Sequence, residues 1–149
     1  MTYKLYYLFL RSSSSKILQN LYIKLILKNK KINLKRFVQP SGYEQSWEKC
    51  AEILIGVGYP RNSCVIDDMF KWLQDLNWQG AKQIKTYLPL LPRDVFISHY
   101  EKALIESINS NDEDWLYFLH YFYFNLKLNA SDFNEKNIVE KLEYIKENY

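Results

Sequence analysis

This chain has few places to turn. It holds only four glycines and four prolines in 149 residues. Turn-dense β folds use both more freely, so the scarcity predicts helices joined by short breaks. Apolar residues make up 48% and aromatics 17%, which is too apolar for a disordered chain. A chain of this length buries roughly two-thirds of its unfolded surface without a disulfide or a metal. The fold class that follows is all-α.

The breaks can be placed. Trp47, Ala51 and Leu54 recur at i, i+4 and i+7, and Glu44, Glu48 and Glu52 line an acidic face, which predicts a helix over 44–57. Gly58 suits the left-handed residue after a helix end, and Pro60 marks the stop. Asn62 or Ser63 is expected to cap a helix running to about Asp75, with Val65, Ile66, Met69, Phe70, Trp72 and Leu73 inward. Asn77 is expected to cap the next, with Ala81, Ile84, Leu88 and Leu91 inward; Gly80, lacking a side chain, lets a second helix approach. Pro92 opens a helix expected to bury Phe96 or Ile97, Tyr100, Leu104, Ile105 and Ile108.

Asn111 is expected to cap a helix whose first turn is Asp112, Glu113 and Asp114, acids that favour a positive helix end. From Trp115 to Phe124 that helix is apolar nearly all round, which predicts a central element covered on both sides. Asp132 and Glu135 have the spacing of a capping box, and Ile138, Leu142, Ile145 and Tyr149 follow on one stripe. Residues 44–149 thus read as about six helices of roughly 12–18 residues, whose antiparallel hairpins stack into a short α-solenoid or a compact bundle.

Charge divides the chain. Residues 1–43 hold nine Lys and Arg and no Asp or Glu, so the rest carries 11 basic against 17 acidic residues, a net of −6. Two units follow: a basic, helical extension over 1–43 and a helical domain over 44–149. In the extension, Ile17, Leu18, Leu21, Tyr22, Leu25 and Ile26 recur at helical spacing to about Lys28, after the Ser12–Ser15 tract. Three readings of this segment stay open. It packs its basic face on the acidic body, or it is an amphipathic helix that touches membrane or nucleic acid, or it is a poorly ordered extension. Gln39 to Tyr43 reads as a linker. The opening YKLYYLFL is short for a secretory signal, and no window has the length of a membrane span. Cys50 and Cys64 are far apart, which suits a reduced, cytoplasmic protein.

The stretch Lys71-Trp72-Leu73-Gln74-Asp75-Leu76-Asn77-Trp78-Gln79-Gly80-Ala81 is unusual. It resembles a family of small bacterial proteins catalogued as domain of unknown function 5071. The family's hallmark is WLQD-x-NW followed by small residues, usually with Pro where this chain has Gln79. Gly58 to Asn62 (GYPRN) and Asn111 to Leu119 (NDEDWLYFL) also match, so the resemblance covers about residues 44–125. It implies a HEAT-like helical scaffold, met near or fused to immunity proteins of bacterial toxin systems. It implies no catalytic residues. Trp72, Leu73, Gln74, Asp75, Asn77, Trp78 and Gly80 are expected to be structural, the two Trp by packing and Asp75 and Asn77 by capping.

No catalytic set emerges. Ser131 and the Ser12–Ser15 tract lack the turn of a nucleophile elbow. Gly56-Val57-Gly58 lacks the Lys-Ser/Thr of a phosphate loop. Cys50, Cys64, His99 and His120 show no metal-ligand spacing. The expectation is therefore a non-enzymatic protein-binding module without cofactor or metal, of immunity or antitoxin type. Its acidic surface would cover a basic partner such as a nucleic-acid-directed toxin. The contact residues are expected among Glu44, Glu48, Glu52, Asp67, Asp68, Glu101, Asp112, Glu113 and Asp114. The alternative is a nucleic-acid or membrane-surface binder acting through residues 1–36.

Overall fold

Helices form where the apolar periodicity places them. The computed structural model describes residues 3–11, 13–135 and 138–143. It contains α1 (Tyr3–Leu10), α2 (Lys16–Lys28), α3 (Trp47–Val57), α4 (Ile66–Lys71), α5 (Ala81–Tyr87), α6 (Arg93–Asn109) and α7 (Glu113–Asn125). Residues 138–143 form a further helix, α8. No strand occurs among the described residues. The chain is all-helical.

Two helices are shorter than predicted: α4 has 6 residues and α5 has 7. Single 3-10 turns at Ser63–Val65 and Trp72–Gln74 flank α4, and another at Leu88–Leu90 closes α5. Pro89 lies in that last turn; it has no N–H to give, so the α ladder cannot continue through it. The apolar residues still go inward, and Val65, Ile66, Met69, Phe70, Trp72 and Leu73 are all fully buried.

The core is aromatic. Phe70 on α4 meets Phe96 and Tyr100 on α6 at 5.6 and 6.1 Å between ring centroids, and Phe122 on α7 at 6.2 Å. The Tyr100 hydroxyl donates to the Leu119 carbonyl at 2.9 Å, and the Trp115 indole donates to Phe70 O at 3.1 Å. Each buried polar tip thus finds a partner while its ring fills space. α4 packs on α6, α6 on α7 and α3 on α5.

The signature stretch builds the loop between α4 and α5. Trp72 is fully buried and its indole N–H donates to Gln79 O at 3.1 Å. Asp75 Oδ1 accepts the Asn77 N–H at 2.7 Å, a local turn that needs a short acidic side chain. Trp47 packs edge-on against both Trp72 and Trp78, at 6.1 and 5.9 Å. Gly80 takes φ +87°, and a Cβ there would lie 2.6 Å from Ala51 Cβ, so glycine is required both by conformation and by the closeness of α3.

Several expected caps fall elsewhere. Asn62 is fully buried and points back: its Nδ2 donates to Leu54 O at the end of α3 (3.0 Å) and to the Tyr87 hydroxyl (2.9 Å). Asn77 stays in the turn, and Gly80 is the residue that precedes α5. At α7 the cap is Asp112, whose Oδ1 accepts the Trp115 N–H at 3.0 Å, one residue after the expected Asn111. The capping box is Asn129 with Asp132, around the 3-10 turn Ala130–Asp132, rather than Asp132 with Glu135. Runs rich in Asn and Asp offer several equivalent oxygens, and tertiary packing chooses among them. Nor is α7 covered on both sides, since Tyr117 and Tyr121 are 52% and 44% exposed. Lys85 Nζ sits 3.5 Å above the Tyr121 ring. On the last stripe Ile138 and Leu142 are buried; Ile145 and Tyr149 lie outside the described residues.

Residues 3–37 share this core. Tyr7, Leu10, Ile23, Ile26, Leu34 and Phe37 join the same buried cluster. Arg61, between α3 and α4, donates to Leu27 O at 2.7 Å and Asn29 O at 2.6 Å, which satisfies the carbonyl end of α2. The Trp47 indole donates to Pro40 O at 3.1 Å and fixes the 39–43 turn. The attachment is apolar and hydrogen-bonded. Among the described residues no ion pair involves any of the nine basic side chains before residue 44, contrary to the expected pairing of basic face with acidic body. The buried side of α2 is Gln19, Ile23 and Ile26. Ile17, Leu18, Leu21 and Leu25, most of the expected stripe, face outward.

Candidate functional site

A helix spaces residues of one face three and four apart. On α4 that gives Asp67, Asp68 and Lys71; on α6 it gives His99, Lys102, Ala103 and Glu106. These two faces oppose each other and, with Trp115 from α7, line a groove of about 170 Å³. Its charges are paired across the gap. Asp67 Oδ1 is hydrogen-bonded to His99 Nδ1, and Lys102 Nζ lies 3.8 Å from Asp67 Oδ2. Lys71 Nζ meets Glu106 Oε1 at 2.5 Å. Lys71, Glu106, Lys102 and Asp67 are about half exposed, so their pairs add little to stability and remain accessible to a competing partner, whereas His99 is mostly covered.

The start of α7 extends the acidic rim. Asp112 Oδ2 accepts from Gln74 Nε2 at 3.5 Å, which ties it to the chain following α4. Glu113 and Asp114 follow in the first turn and are exposed. Asp68, Glu113 and Asp114 make no ion pair among the described residues. The groove lining holds Asp67, Asp68 and Glu106 against Lys71 and Lys102, a net of −1 leaving His99 out of the count, and Asp112, Glu113 and Asp114 add three carboxylates at the start of α7.

The expected contact residues therefore separate. Asp67 and Asp68 line this groove, and Asp112, Glu113 and Asp114 stand at the start of α7, the helix whose Trp115 also lines it. Glu44, Glu48 and Glu52 lie along the start and face of α3. There Glu44 accepts the Gly42 N–H at 3.0 Å, Glu48 accepts from Gln83 at 3.4 Å, and Glu52 pairs with Lys49 at 2.6 Å. Glu101 belongs to neither set. It is 6% exposed, and its carboxylate accepts the Asn134 N–H (2.6 Å), the Asn134 side-chain amide (2.8 Å) and the Glu135 N–H (2.8 Å). That charge is consumed in holding the segment before α8. Lys71, His99, Lys102 and Glu106 were not among the expected site residues, although their i, i+3 and i+4 spacing on α4 and α6 carries the signal.

The other titratable groups have structural surroundings. Burial pushes the Cys50 thiol up to about 12, where it is not a nucleophile at neutral pH. Burial likewise lowers the pKa of His120, and the Glu143 carboxylate and a hydrogen bond to the Leu142 backbone offset only part of this; its Nε2 is buried with no hydrogen-bond partner among the described residues. Among the described residues no three His, Cys, Asp or Glu side chains form a metal-binding group. Trp72 and Leu73 are core, Gln74 reaches the groove rim through Asp112, and Asp75, Asn77, Trp78 and Gly80 form the loop on α3.

Fold and groove together define a small all-helical protein with a charged cleft between two of its helices and an acidic rim. The chain belongs to the family described as Domain of unknown function (DUF5071), whose model matches residues 45–148. No curated protein matches the chain, and no solved structure does.

Proposed function

We propose that this protein is a non-catalytic binding module that docks a basic protein partner on the α4–α6–α7 acidic rim. The observation that carries this reading is that Asp67 and Asp68 line the groove while Asp112, Glu113 and Asp114 begin α7, the helix that supplies Trp115 to the same lining. The carboxylates on α7 stand at a helix start, where they are exposed and unpaired. Such a rim attracts a cationic surface and speeds encounter. The groove's own pairs, Asp67 with His99 and Lys71 with Glu106, can exchange for pairs across an interface.

The partner class proposed is a protein with a basic, nucleic-acid-directed active site, blocked by the module as an immunity protein blocks a toxin. The family resemblance to proteins from toxin-immunity settings favours this class. A short HEAT-like stack is the proposed arrangement of the helices. Its support is the packing of α3 on α5 and of α4 on α6, the alternate-neighbour pattern of two rows of helices.

The test is to mix the full chain with a basic, nuclease-type toxin captured by the tagged protein and to measure complex stoichiometry and nuclease activity. A defined stoichiometric complex that loses nuclease activity supports the reading. A toxin that stays free and active in the presence of excess protein contradicts it.

A further inference from the structure

The outward side of the first two helices is apolar. On α2, Ile17 is 79% exposed, Leu18 41%, Leu21 51% and Leu25 50%. At 100° per residue these four fall within one third of the helix circumference, nearly opposite the buried Gln19, Ile23 and Ile26. The strip continues onto α1. Phe9 and Tyr22 stack at 4.1 Å and bridge the two helices. One turn from Phe9 is Leu5, and one turn from Tyr22 are Leu18 and Leu25, neighbours on their helix surfaces. Large aliphatic side chains gathered in this way mark an interaction surface.

Every charged side chain on the two helices that carry the strip is basic. Lys24 and Lys28 flank it on α2 and Lys4 on α1; all three are exposed and make no ion pair among the described residues. Residues 1–43 contain no carboxylate side chain. An apolar stripe beside lysines is the pattern of a helix lying in the plane of a bilayer interface: the aliphatic residues enter the acyl boundary and the lysine stems reach back to the phosphates. At about 20 Å, α2 is too short to span a bilayer but long enough to lie along one.

We propose that the outward face of α1 and α2 docks this protein on an anionic membrane surface, with Leu18, Leu21 and Leu25 inserted and Lys24 and Lys28 at the headgroups. Charge complementarity selects this occupant. A second copy meeting the first through the same face would bring two lysine-bordered strips together with no carboxylate from either helix to pair them. A nucleic acid would find lysines but mostly aliphatic side chains, whereas strand binding uses exposed aromatic platforms. The face is separate from the acidic groove, which is built from residues 67–115, so membrane docking and partner docking can fail independently.

The experiment is co-sedimentation of the full chain with vesicles of phosphatidylcholine alone and of phosphatidylcholine containing phosphatidylglycerol. The full chain is needed because Tyr7, Leu10, Ile23 and Ile26 belong to the core and truncation would open it. Binding is expected only with phosphatidylglycerol present. It should fall about fivefold for each of Lys24→Gln and Lys28→Gln, and about tenfold or more for Leu21→Ser with Leu25→Ser. All four sites are exposed, so the thermal midpoint should hold. The lysine variants keep the test valid should the leucine pair fail to fold. Absence of the wild-type chain from anionic vesicles overturns the proposal. So does equal binding to both vesicle types, or binding unchanged by the substitutions. Retention on single-stranded RNA without vesicle binding, or a dimer abolished by Leu21→Ser without vesicle binding, overturns it in favour of those occupants.

Discussion

The indole of Trp72 donates to the carbonyl of Gln79 at 3.1 Å, and that bond spans the loop that sets Gly80 against α3. The signature residues are thus a hinge-free joint between α4 and α5. Gly80→Ala meets two costs there, a left-handed φ of +87° and a Cβ 2.6 Å from that of Ala51. The expected loss is about 2–4 kcal/mol. Gly42→Ala is the control: its φ is +76° but nothing lies within 4 Å of the added Cβ, so about 1 kcal/mol is expected. Urea denaturation of the two variants compares them; equal losses would show that the approach to Ala51 contributes nothing.

Glu101 holds the end of the chain rather than a partner. Its carboxylate accepts three hydrogen bonds from Asn134 and Glu135, one side-chain and two main-chain donors. Glu101→Ala is expected to cost about 1.5–3 kcal/mol, since three hydrogen bonds to a charged acceptor are lost. Amide exchange should rise first in residues 134–143, before α4 and α6 are affected. Uniform acceleration across the chain would place the role of Glu101 elsewhere.

Arg61 is the joint to the first helices, through Leu27 O and Asn29 O at 2.7 and 2.6 Å. Arg61→Ala is expected to cost about 1.5–3 kcal/mol, the range for hydrogen bonds from a charged donor. Arg61→Lys should recover only part of this, because an ammonium lacks the planar fork that reaches both carbonyls. Full recovery by lysine would mean that charge alone matters here.

His120 sets a pH dependence. Burial lowers its pKa below the ordinary 6.5, and the Glu143 carboxylate only partly offsets this. As pH falls through 6.5 the unfolded chain takes up a proton that the folded chain resists. Stability is therefore full above that value and declines below it. The contribution of Asp132, whose pKa is lowered by the Asn129 N–H and by Arg93, is present above the ordinary 3.8 and is lost only at lower pH. Denaturation at about pH 7.5 and about pH 5.5 should show the decline, and His120→Phe should flatten it. An unchanged slope in that variant would remove His120 as its source.

The inward residues of α3 and α4 were legible in the sequence because each helix is apolar on one side only; on α6 Phe96, Tyr100 and Leu104 are buried as expected, but Ile105 and Ile108 are half-buried and Ala103, Ser107 and Glu101 lie inward instead. Those of α2 were not legible, because it is apolar on two sides. Ile23 and Ile26 face the core while Ile17, Leu18, Leu21 and Leu25 make an equally regular stripe on the far side. Periodicity identifies a stripe and cannot say which one is covered. Tyr117 and Tyr121 misled for a related reason, since a tyrosine ring with its hydroxyl tolerates a half-wet position. Of the acidic residues, Asp112 to Asp114 could be placed from their position before Trp115. Glu101 could not, because its partners Asn134 and Glu135 are more than 30 residues away. The pairing of Asp67 with His99 is likewise a tertiary contact between α4 and α6.

The acidic rim is tested most directly by the rate of association with the proposed basic partner, compared between the wild-type chain and Asp68→Asn, Glu113→Gln, Asp114→Asn combined. These three side chains make no ion pair among the described residues, so the fold should be kept. Stopped-flow measurement at low salt should show association slowed about tenfold or more, with the difference fading at high salt. An association rate that the triple substitution leaves unchanged at low salt would contradict docking on this rim.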